Sequence, residues 1–306
     1  MSKDIDEFVL EIPIVRNIAV FFKKIKLPSL EGLTLYDLIK LYFFGIIKGT
    51  FSTRASSIAF SFFMAIFPFL LFILNLIPFI TFIEDFQTEV LLFLEDLLPS
   101  QAAEFFKDIF VDIASNPRAG LLSFVFILSI FLMSNGVNAI FTSFEFSYHT
   151  KINRTIIRQY MVAVGVALVI AVLLLLSVAF TIYFTYLIEK LRDLGIVGDA
   201  LYWAKAGRYA ILILALYMGI SLLYFFGTKQ GRQYRFFSIG SLFTTILIII
   251  TTYFFSFYVE NFSSYNKLYG SIGALLVLMI YIWLNSNIFL LGFELNASLQ
   301  KLRDRN

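Results

Sequence analysis

Residues 158–188 read RQYMVAVGVALVIAVLLLLSVAFTIYFTYLI, and no charged side chain follows Arg158 in this run. Apolar runs of about 20 residues or more are the signature of helices that cross a bilayer. Five further runs give predicted spans at 54–82, 119–144, 203–226, 236–258 and 268–296. The sequence therefore predicts an all-α, polytopic membrane protein with six transmembrane helices.

The composition supports the same class. Hydrophobic residues make up 59% of the 306 residues, charged residues only 15%, and there are 38 Phe. Soluble domains carry about 25% charged residues, and a soluble fold of this length could not bury so much apolar surface. The chain has no Cys, which excludes disulfides, thiolate nucleophiles and thiolate metal ligands.

The distribution of basic residues predicts the orientation in the membrane. The segments 1–54, 145–158 and 227–235, together with the tail after residue 296, hold 17 of the 24 Lys and Arg. The segment 84–118 has two basic residues against eight acidic ones. Cytoplasmic loops carry the excess of Lys and Arg in membrane proteins. Both termini are therefore predicted to be cytoplasmic.

Two amphipathic segments flank the first predicted span. Residues 34–47 repeat apolar side chains at helical spacing, and Thr34 followed by Asp37 is typical of an N-cap with an acidic first turn. We predict an elbow helix there, lying along the cytoplasmic interface. Residues 84–118 hold two apolar stripes interrupted at Pro99, which predicts an amphipathic hairpin on the outer face. This hairpin either covers the bundle or takes part in gating and substrate loading.

These elements divide the chain into three parts. Residues 1–53 form a cytoplasmic N-terminal segment that contains the elbow helix. Residues 54–300 form the six-helix transmembrane domain, including the outer hairpin 84–118, and residues 301–306 are a cytoplasmic tail.

Polar side chains recur inside the predicted spans. Such groups face neighbouring helices or a wet cavity, because exposure to lipid costs too much. Four of the six predicted helices have a polar stripe, which is more than packing usually requires. We predict a polar substrate pathway formed by Arg54, Ser57, Ser61, Asn75, Asn138, Glu145, Arg158, Asn287 and Glu294. An alternative stays open, in which the two acids are structural and pair with Arg54, Arg158 or amides at helix ends.

Two stretches share a pattern that ends in an acid. NAIFTSFE (138–145) and NIFLLGFE (287–294) each place an Asn seven residues before a Glu, with a small residue and Phe directly before the acid. At 1.5 Å per residue, each Asn lies about 10 Å from its acid along the helix. Both predicted helices run from outside to inside, so both acids are expected near the cytoplasmic end. Parallel helices do not correspond in a three-plus-three repeat, and we treat the match as convergence or chance.

One basic pair departs from the excess of Lys and Arg in the predicted cytoplasmic segments. Lys205 and Arg208 lie one turn apart at the outer start of the fourth predicted span. Long basic side chains near a helix end can extend to the interface or pair with acidic residues of the hairpin. The functional alternative is a contact with an anionic lipid headgroup.

Sequence patterns of catalytic sites are missing. There is no phosphate-binding glycine loop, dinucleotide fingerprint, HExxH helix or nucleophile elbow. His149, the only histidine, lies near Lys151 and Arg154 in a short inner loop, where a surface role is expected. No cluster of acids or histidines suggests a metal site. We therefore predict neither enzymatic activity nor a metal or other cofactor.

Four stretches carry a resemblance to a known family. They are RASSIAFSFFMAIFPFLLFIL (54–74), NGVNAIFTSFEFSY (135–148), KINRTIIRQY (151–160) and YGSIGALLVLMIYIWLNSNIFLLGFELNA (269–297). In these the chain resembles the YihY/BrkB family of bacterial inner-membrane proteins, once mislabelled as ribonuclease BN, over roughly residues 35–300. The resemblance implies six helices, both ends inside and location in the inner membrane. Members of this family are described as transporters or as factors in envelope integrity and serum resistance.

Two functional hypotheses follow. The first is a transporter or flippase-like protein that moves an amphipathic or lipid-related substrate through a polar cavity in the bundle. The second is a non-transporting scaffold for envelope assembly or integrity, which would depend on the hairpin 84–118. A passive channel is disfavoured because the acids gather at one end. The expected partners are membrane lipids and a lipid-like or amphipathic small molecule, not nucleic acid; homo-oligomerisation is left open.

Overall fold

The computed structural model describes residues 20–26, 34–37, 50–76, 88, 92, 107, 122–145, 155–195, 198–228, 235–262 and 272–303. Six long helices account for most of these residues: α1 (Thr50–Leu76), α2 (Leu122–Glu145), α3 (Ile156–Asp193), α4 (Ala200–Gly227), α5 (Ile239–Phe262) and α6 (Ile272–Arg303). The described ranges contain no β-strand, only an isolated bridge between Lys26 and Thr34. The predicted all-α class is confirmed, and each helix overlaps one predicted span.

The helices have the length and surface of membrane spans. Within the described residues, five of them, α2 to α6, are long and apolar enough to cross a membrane. The first predicted span corresponds to α1, whose uncharged residues 55–76 extend for about 33 Å as a helix, against about 30 Å of hydrocarbon. Large apolar side chains such as Phe180, Leu214 and Phe254 remain exposed on α3, α4 and α5, as a lipid-facing surface requires. The chain is a polytopic α-helical membrane protein.

The six helices form a ring in chain order. Each helix packs against the next, and α6 closes the ring by packing on α1. Helix α2 also contacts α4 and α6 across the ring. The largest fully buried side chains include Phe141, Phe144, Tyr224 and Phe293, all near the C-terminal ends of α2, α4 and α6. We call this end, where α1, α3 and α5 begin, the inner end; it is the end that the charge distribution assigns to the cytoplasm.

Glycines allow close approach of α5 and α6 at the inner end. A Cβ on Gly292 would overlap the Thr244 hydroxyl, and one on Gly240 would overlap the Gly292 carbonyl oxygen. Small residues at helix interfaces let two backbones come into contact. Further outward, the Thr252 and Tyr281 hydroxyls lie 2.8 Å apart. Helices α5 and α6 are therefore in contact at two depths, through the glycines at the inner end and through the Thr252–Tyr281 pair further out.

Local sequence also sets the turn between α3 and α4. Gly195 has a φ of 74°, which glycine adopts without steric cost, and its N–H donates to the Arg192 carbonyl at 2.8 Å. Asp199 then caps α4, since its carboxylate accepts a hydrogen bond from the Tyr202 N–H at 3.0 Å. These two residues end one span and start the next.

The predicted elbow helix begins where the sequence places it. The Thr34 hydroxyl accepts a hydrogen bond from the Asp37 N–H at 3.3 Å, and the Asp37 carboxylate accepts from the Thr34 N–H at 2.9 Å. This reciprocal arrangement is a capping box. The remainder of the elbow, and the hairpin 84–118 apart from positions 88, 92 and 107, lie outside the described residues. Helix α6 continues to Arg303, so the first half of the predicted tail is helical.

Candidate functional site

An ion pair joins the first and last helices at the inner end. Arg54 Nη1 lies 3.3 Å from Glu294 Oε1, and Arg54 Nη2 donates to the backbone carbonyl of Ser143. The Arg54 and Glu294 side chains are only 11% and 6% exposed. A charge away from water must be paired and hydrogen-bonded to be tolerated. The guanidinium meets this requirement by bridging α1, α2 and α6.

A second polar contact joins α2 to α3. One end of the Gln159 amide lies 2.9 and 3.1 Å from the two carboxylate oxygens of Glu145. Its other end lies 3.1 Å from both the Asn138 amide and the Thr142 hydroxyl. An ionised carboxylate only accepts hydrogen bonds, so we assign the Gln159 nitrogen to the Glu145 side. Gln159 is buried and extends the polar contacts from Glu145 into the bundle.

Aromatic rings bring the two matched stretches together. Phe144 and Phe293, each directly before an acid, stack with centroids 3.8 Å apart and planes 6° apart. Phe289 and Tyr224 lie against Phe144, at centroid distances of 5.6 and 5.7 Å. The stretches 138–145 and 287–294 therefore contact each other at the inner end through these rings. Their acids have different polar neighbours: Glu145 lies beside Gln159, and Glu294 pairs with Arg54.

The Tyr224 hydroxyl ties three helices together beside this stack. It donates to the Phe289 carbonyl at 2.6 Å and lies 2.7 Å from the Thr244 hydroxyl. A tyrosine hydroxyl has one proton, so Thr244 donates to Tyr224. Helices α4, α5 and α6 are therefore linked in one buried layer.

Asn296, which the sequence marks as an amide in a span, has a capping role. Its Oδ1 accepts from the Gly240 N–H at 2.8 Å, and its Nδ2 donates to Ser238 Oγ at 2.8 Å. The Gly240 N–H belongs to the first turn of α5, where backbone donors have no acceptor within the helix. The amide on α6 therefore satisfies the start of α5.

Other polar side chains donate a hydrogen bond within their own helix. Asn285 and Asn287 donate to the carbonyls of Tyr281 and Trp283, four residues earlier, at 2.9 and 2.7 Å. The same contact is made by the hydroxyls of Ser134, Ser177, Thr245, Thr252 and Ser286. A side chain bonded in this way needs no cavity. The polar stripes alone are therefore weak evidence for a pathway.

The structure brings together only part of the predicted pathway. The inner polar cluster consists of Arg54, Asn138, Thr142, Glu145, Gln159 and Glu294. Ser57 and Arg158 are exposed, Ser61 is half-buried, and Asn287 is buried against its own helix. The Asn75 side chain lies outside the described residues. At the opposite end of the bundle, Lys205 is exposed and Arg208 half-buried on α4.

Gln159 was missed by the sequence prediction, although a signal for it exists. Ala163, Ala167 and Ala171 follow it at four-residue spacing, and all four side chains are buried. A stripe of small residues marks the face of a membrane helix that packs on its neighbours. A polar residue that begins such a stripe is expected to face protein. In the described residues, no group of three or more His, Asp or Glu is placed to hold a metal ion.

Comparison with known proteins identifies the family. Residues 46–306 match the family model described as Virulence factor BrkB, a range that includes the whole inner polar cluster. The chain belongs to the BrkB family. This confirms the resemblance to YihY/BrkB proteins noted in the sequence.

Individual relatives agree with this assignment. The chain is 31% identical over 259 residues to the ribonuclease-like protein YfkH of Bacillus subtilis (strain 168), covering 83% of this chain and 93% of that protein. It is 23% identical over 279 residues to a UPF0761 membrane protein of Psychrobacter sp. (strain PRwf-1), covering 90% of this chain but only 50% of that protein. A UPF0761 membrane protein of Pseudoalteromonas translucida (strain TAC 125) is 30% identical over 121 residues, 40% of this chain and 39% of that protein. No solved structure matches the chain.

Proposed function

We propose that this BrkB-family protein moves an amphipathic or lipid-related molecule across the inner membrane, as a transporter or flippase-like protein with both termini in the cytoplasm. The observation that carries the proposal is the inner polar cluster. It places a guanidinium, two carboxylates and a buried amide at one end of an otherwise apolar bundle. Ionisable groups inside membrane bundles are costly and mark substrate or ion pathways by default.

The surroundings of the cluster favour an amphipathic substrate. The stacked rings of Phe144 and Phe293 adjoin the residues that carry the polar groups, so one molecule would meet both an apolar surface and a charged one. Arg54 already holds a carboxylate, and a guanidinium binds phosphate with the same fork of donors. An anionic headgroup would therefore exchange with Glu294. Lys205 and Arg208 would supply cationic contacts at the outer leaflet.

Transport is favoured over catalysis. One relative is named ribonuclease-like, and we do not extend that name to this chain. RNA hydrolysis calls for positioned general acids and bases or bound metal ions. The chain has one His and no Cys, and its buried acid Glu294 is held by Arg54.

Lipid exchange in proteoliposomes tests the proposal. The purified protein would be reconstituted with fluorescent phosphatidylglycerol or phosphatidylcholine, and dithionite would bleach the label in the outer leaflet only. We expect faster loss of the protected signal with the protein than in empty vesicles. Arg54→Gln and Glu294→Gln should slow this exchange, whereas Arg235→Gln, an exposed cation at the same end, should not.

Two results would contradict the proposal. Wild-type vesicles that bleach no further than empty ones would remove lipid movement as the activity. Full exchange by both cluster variants would separate the activity from the inner polar cluster. If protein partners instead co-purify and cellular function follows the hairpin 84–118, the scaffold function replaces transport.

A further inference from the structure

Two short segments before the first span pair with each other. Lys26 forms an antiparallel bridge with Thr34, and Lys23 Nζ lies 4.8 Å from the centre of the Tyr36 ring. A lysine ammonium at this distance is attracted by the face of an aromatic ring. We call the two segments, residues 20–26 and 34–37, the N-terminal hook.

Exposed apolar side chains lie on one side of the hook. Residues 20–24 form a turn of helix, and the Val20 and Phe21 side chains are 47% and 61% exposed. At 100° per residue, Val20, Phe21 and the exposed Lys24 lie within 100° of one another around this turn. Ile25, which follows directly, is 36% exposed. The hook thus presents neighbouring apolar side chains together with a cation.

The charge that the hook presents is positive. Lys24 and Lys26 are both exposed. Asp37 is the one acid among the residues of the hook, and its carboxylate accepts hydrogen bonds from the N–H and the hydroxyl of Thr34, at 2.9 and 2.6 Å. Around the hook, the sequence from 12 to 30 contains four basic residues and no acidic one. The complementary partner is therefore an anion.

The hook is tethered close to one surface of the bilayer. Helix α1 begins at Thr50, at the inner end of the bundle, 13 residues after Asp37. A connection of that length spans at most about 45 Å. The charge distribution assigns this end to the cytoplasm, where the membrane leaflet carries anionic lipids. The headgroup region of that leaflet is negatively charged and has hydrocarbon directly beneath it.

We propose that the N-terminal hook docks on anionic lipid headgroups, with Val20 and Phe21 inserted between the headgroups and Lys24 and Lys26 at the phosphates. Charge complementarity carries the inference, and the exposed apolar side chains select a lipid surface over a soluble anion. A lysine stem extends along apolar surface while its ammonium stays at the interface. Segments that lie in the interface combine basic residues with Phe or Leu in this way. The docking does not depend on transport and holds equally for a scaffold.

A fluorescent label at position 20 tests the docking in the full-length protein. The chain has no Cys, so Val20→Cys carries a single thiol, to which a bimane label is attached. The protein is placed in nanodiscs of phosphatidylcholine with or without phosphatidylglycerol. We expect phosphatidylglycerol to increase quenching by a lipid that is spin-labelled near its headgroup, and to protect the label from iodide in the water. The fluorescence lifetimes give the ratio of docked to undocked hooks.

Removing two lysines tests the electrostatic part. Each lysine near an anionic surface changes the ratio of docked to undocked hooks about fivefold, so Lys24→Gln combined with Lys26→Gln should lower it about 25-fold. The matched control combines Lys190→Gln with Arg192→Gln, which removes two exposed cations from the opposite end of the bundle and should leave the ratio unchanged. Added salt should also lower the ratio, because it screens exposed charges.

Replacing the exposed ring tests the apolar part. Phe21→Ser should reduce quenching by the spin-labelled lipid even in nanodiscs that contain phosphatidylglycerol, because burial of the ring in the interface is lost. Leu194→Ser is the control, since Leu194 is 67% exposed at the opposite end of the bundle, and quenching there should stay at the level of the labelled parent protein.

Three results would overturn the docking. The first is equal lipid quenching with and without phosphatidylglycerol, and the second is a double lysine variant that docks like the parent protein. The third is a label that iodide cannot reach even in neutral detergent micelles, which would show that the chain itself or a second copy covers the hook. None of these results bears on lipid exchange, so the docking and the proposed function can fail separately.

Discussion

Replacing Glu294 with Gln removes the counter-charge of Arg54 at nearly constant side-chain volume. The guanidinium would keep the Ser143 carbonyl as an acceptor but would remain charged, because arginine is not deprotonated in proteins. Removing one partner of a buried ion pair costs about 3–5 kcal/mol of the free energy of unfolding. Since Arg54 retains 11% exposure, we expect the lower end of this range.

The partner substitution Arg54→Gln should cost less than Glu294→Gln. A carboxylate that loses its cation can take up a proton and become neutral, whereas the guanidinium cannot. The double variant removes both charges and is expected to be more stable than the sum of the single changes implies. Contacting residues show coupling energies of about 0.5–3 kcal/mol, and we expect about 2 kcal/mol for this pair.

Chemical unfolding in detergent micelles, followed by circular dichroism, measures all three variants. Arg235→Gln is the matched control, because Arg235 is exposed at the same end of the bundle; it should change the free energy of unfolding by less than about 0.5 kcal/mol. Strict additivity of the two single changes would refute the reasoning. So would a Glu294→Gln variant that unfolds like wild type.

Three further substitutions test the packing and the polar contacts. Gly292→Ala places a methyl group against the Thr244 hydroxyl and should lower the free energy of unfolding by about 1–3 kcal/mol. The control is Gly219→Ala, whose Cβ would meet no atom within 4 Å and which should be neutral or stabilise by up to about 1 kcal/mol. Equal unfolding midpoints of these two variants would disprove the close approach of α5 and α6. Asn296→Ala should cost about 1 kcal/mol and speed amide hydrogen exchange in the first turn of α5, and unchanged exchange there would reject the capping role. Gln159→Glu places a second acid beside Glu145 and should lower the midpoint of unfolding at neutral pH, but less so in acid, because like charges destabilise only when both are ionised. A decrease in the midpoint that does not depend on pH would indicate a packing defect instead.

The helices could be predicted from the sequence because one physical rule dominates in lipid. The polar groups of a backbone in hydrocarbon must bond to one another, so an apolar run such as 158–188 is expected to form a helix. The first and last residues of each helix were less predictable. Helix α3 runs from Ile156 to Asp193, beyond the predicted 158–188, because helix geometry does not stop where charged side chains begin.

The site was predictable as a set of residues but not as a set of contacts. Arg54 and Glu294 are 240 residues apart, and nothing local in the chain specifies that they meet. Three asparagines in the last span look alike in the sequence, yet Asn285 and Asn287 bond to their own helix while Asn296 caps α5. An amide can be satisfied in either way, and only the approach of a second helix decides between them. Tertiary packing therefore holds the missing information.

The ion pair that closes the ring also sets an order of events during synthesis. Arg54 leaves the ribosome 240 residues before Glu294, an interval of about 12–48 s at 5–20 residues per second. Throughout that time the first helix holds its cation without the carboxylate. The fifth helix, which begins at Ile239, is made later and also starts without the cap of Asn296. Insertion of the last helix completes both at once. A nascent chain interrupted between residues 262 and 294 would therefore leave Arg54 without its carboxylate and the start of the fifth helix without its cap.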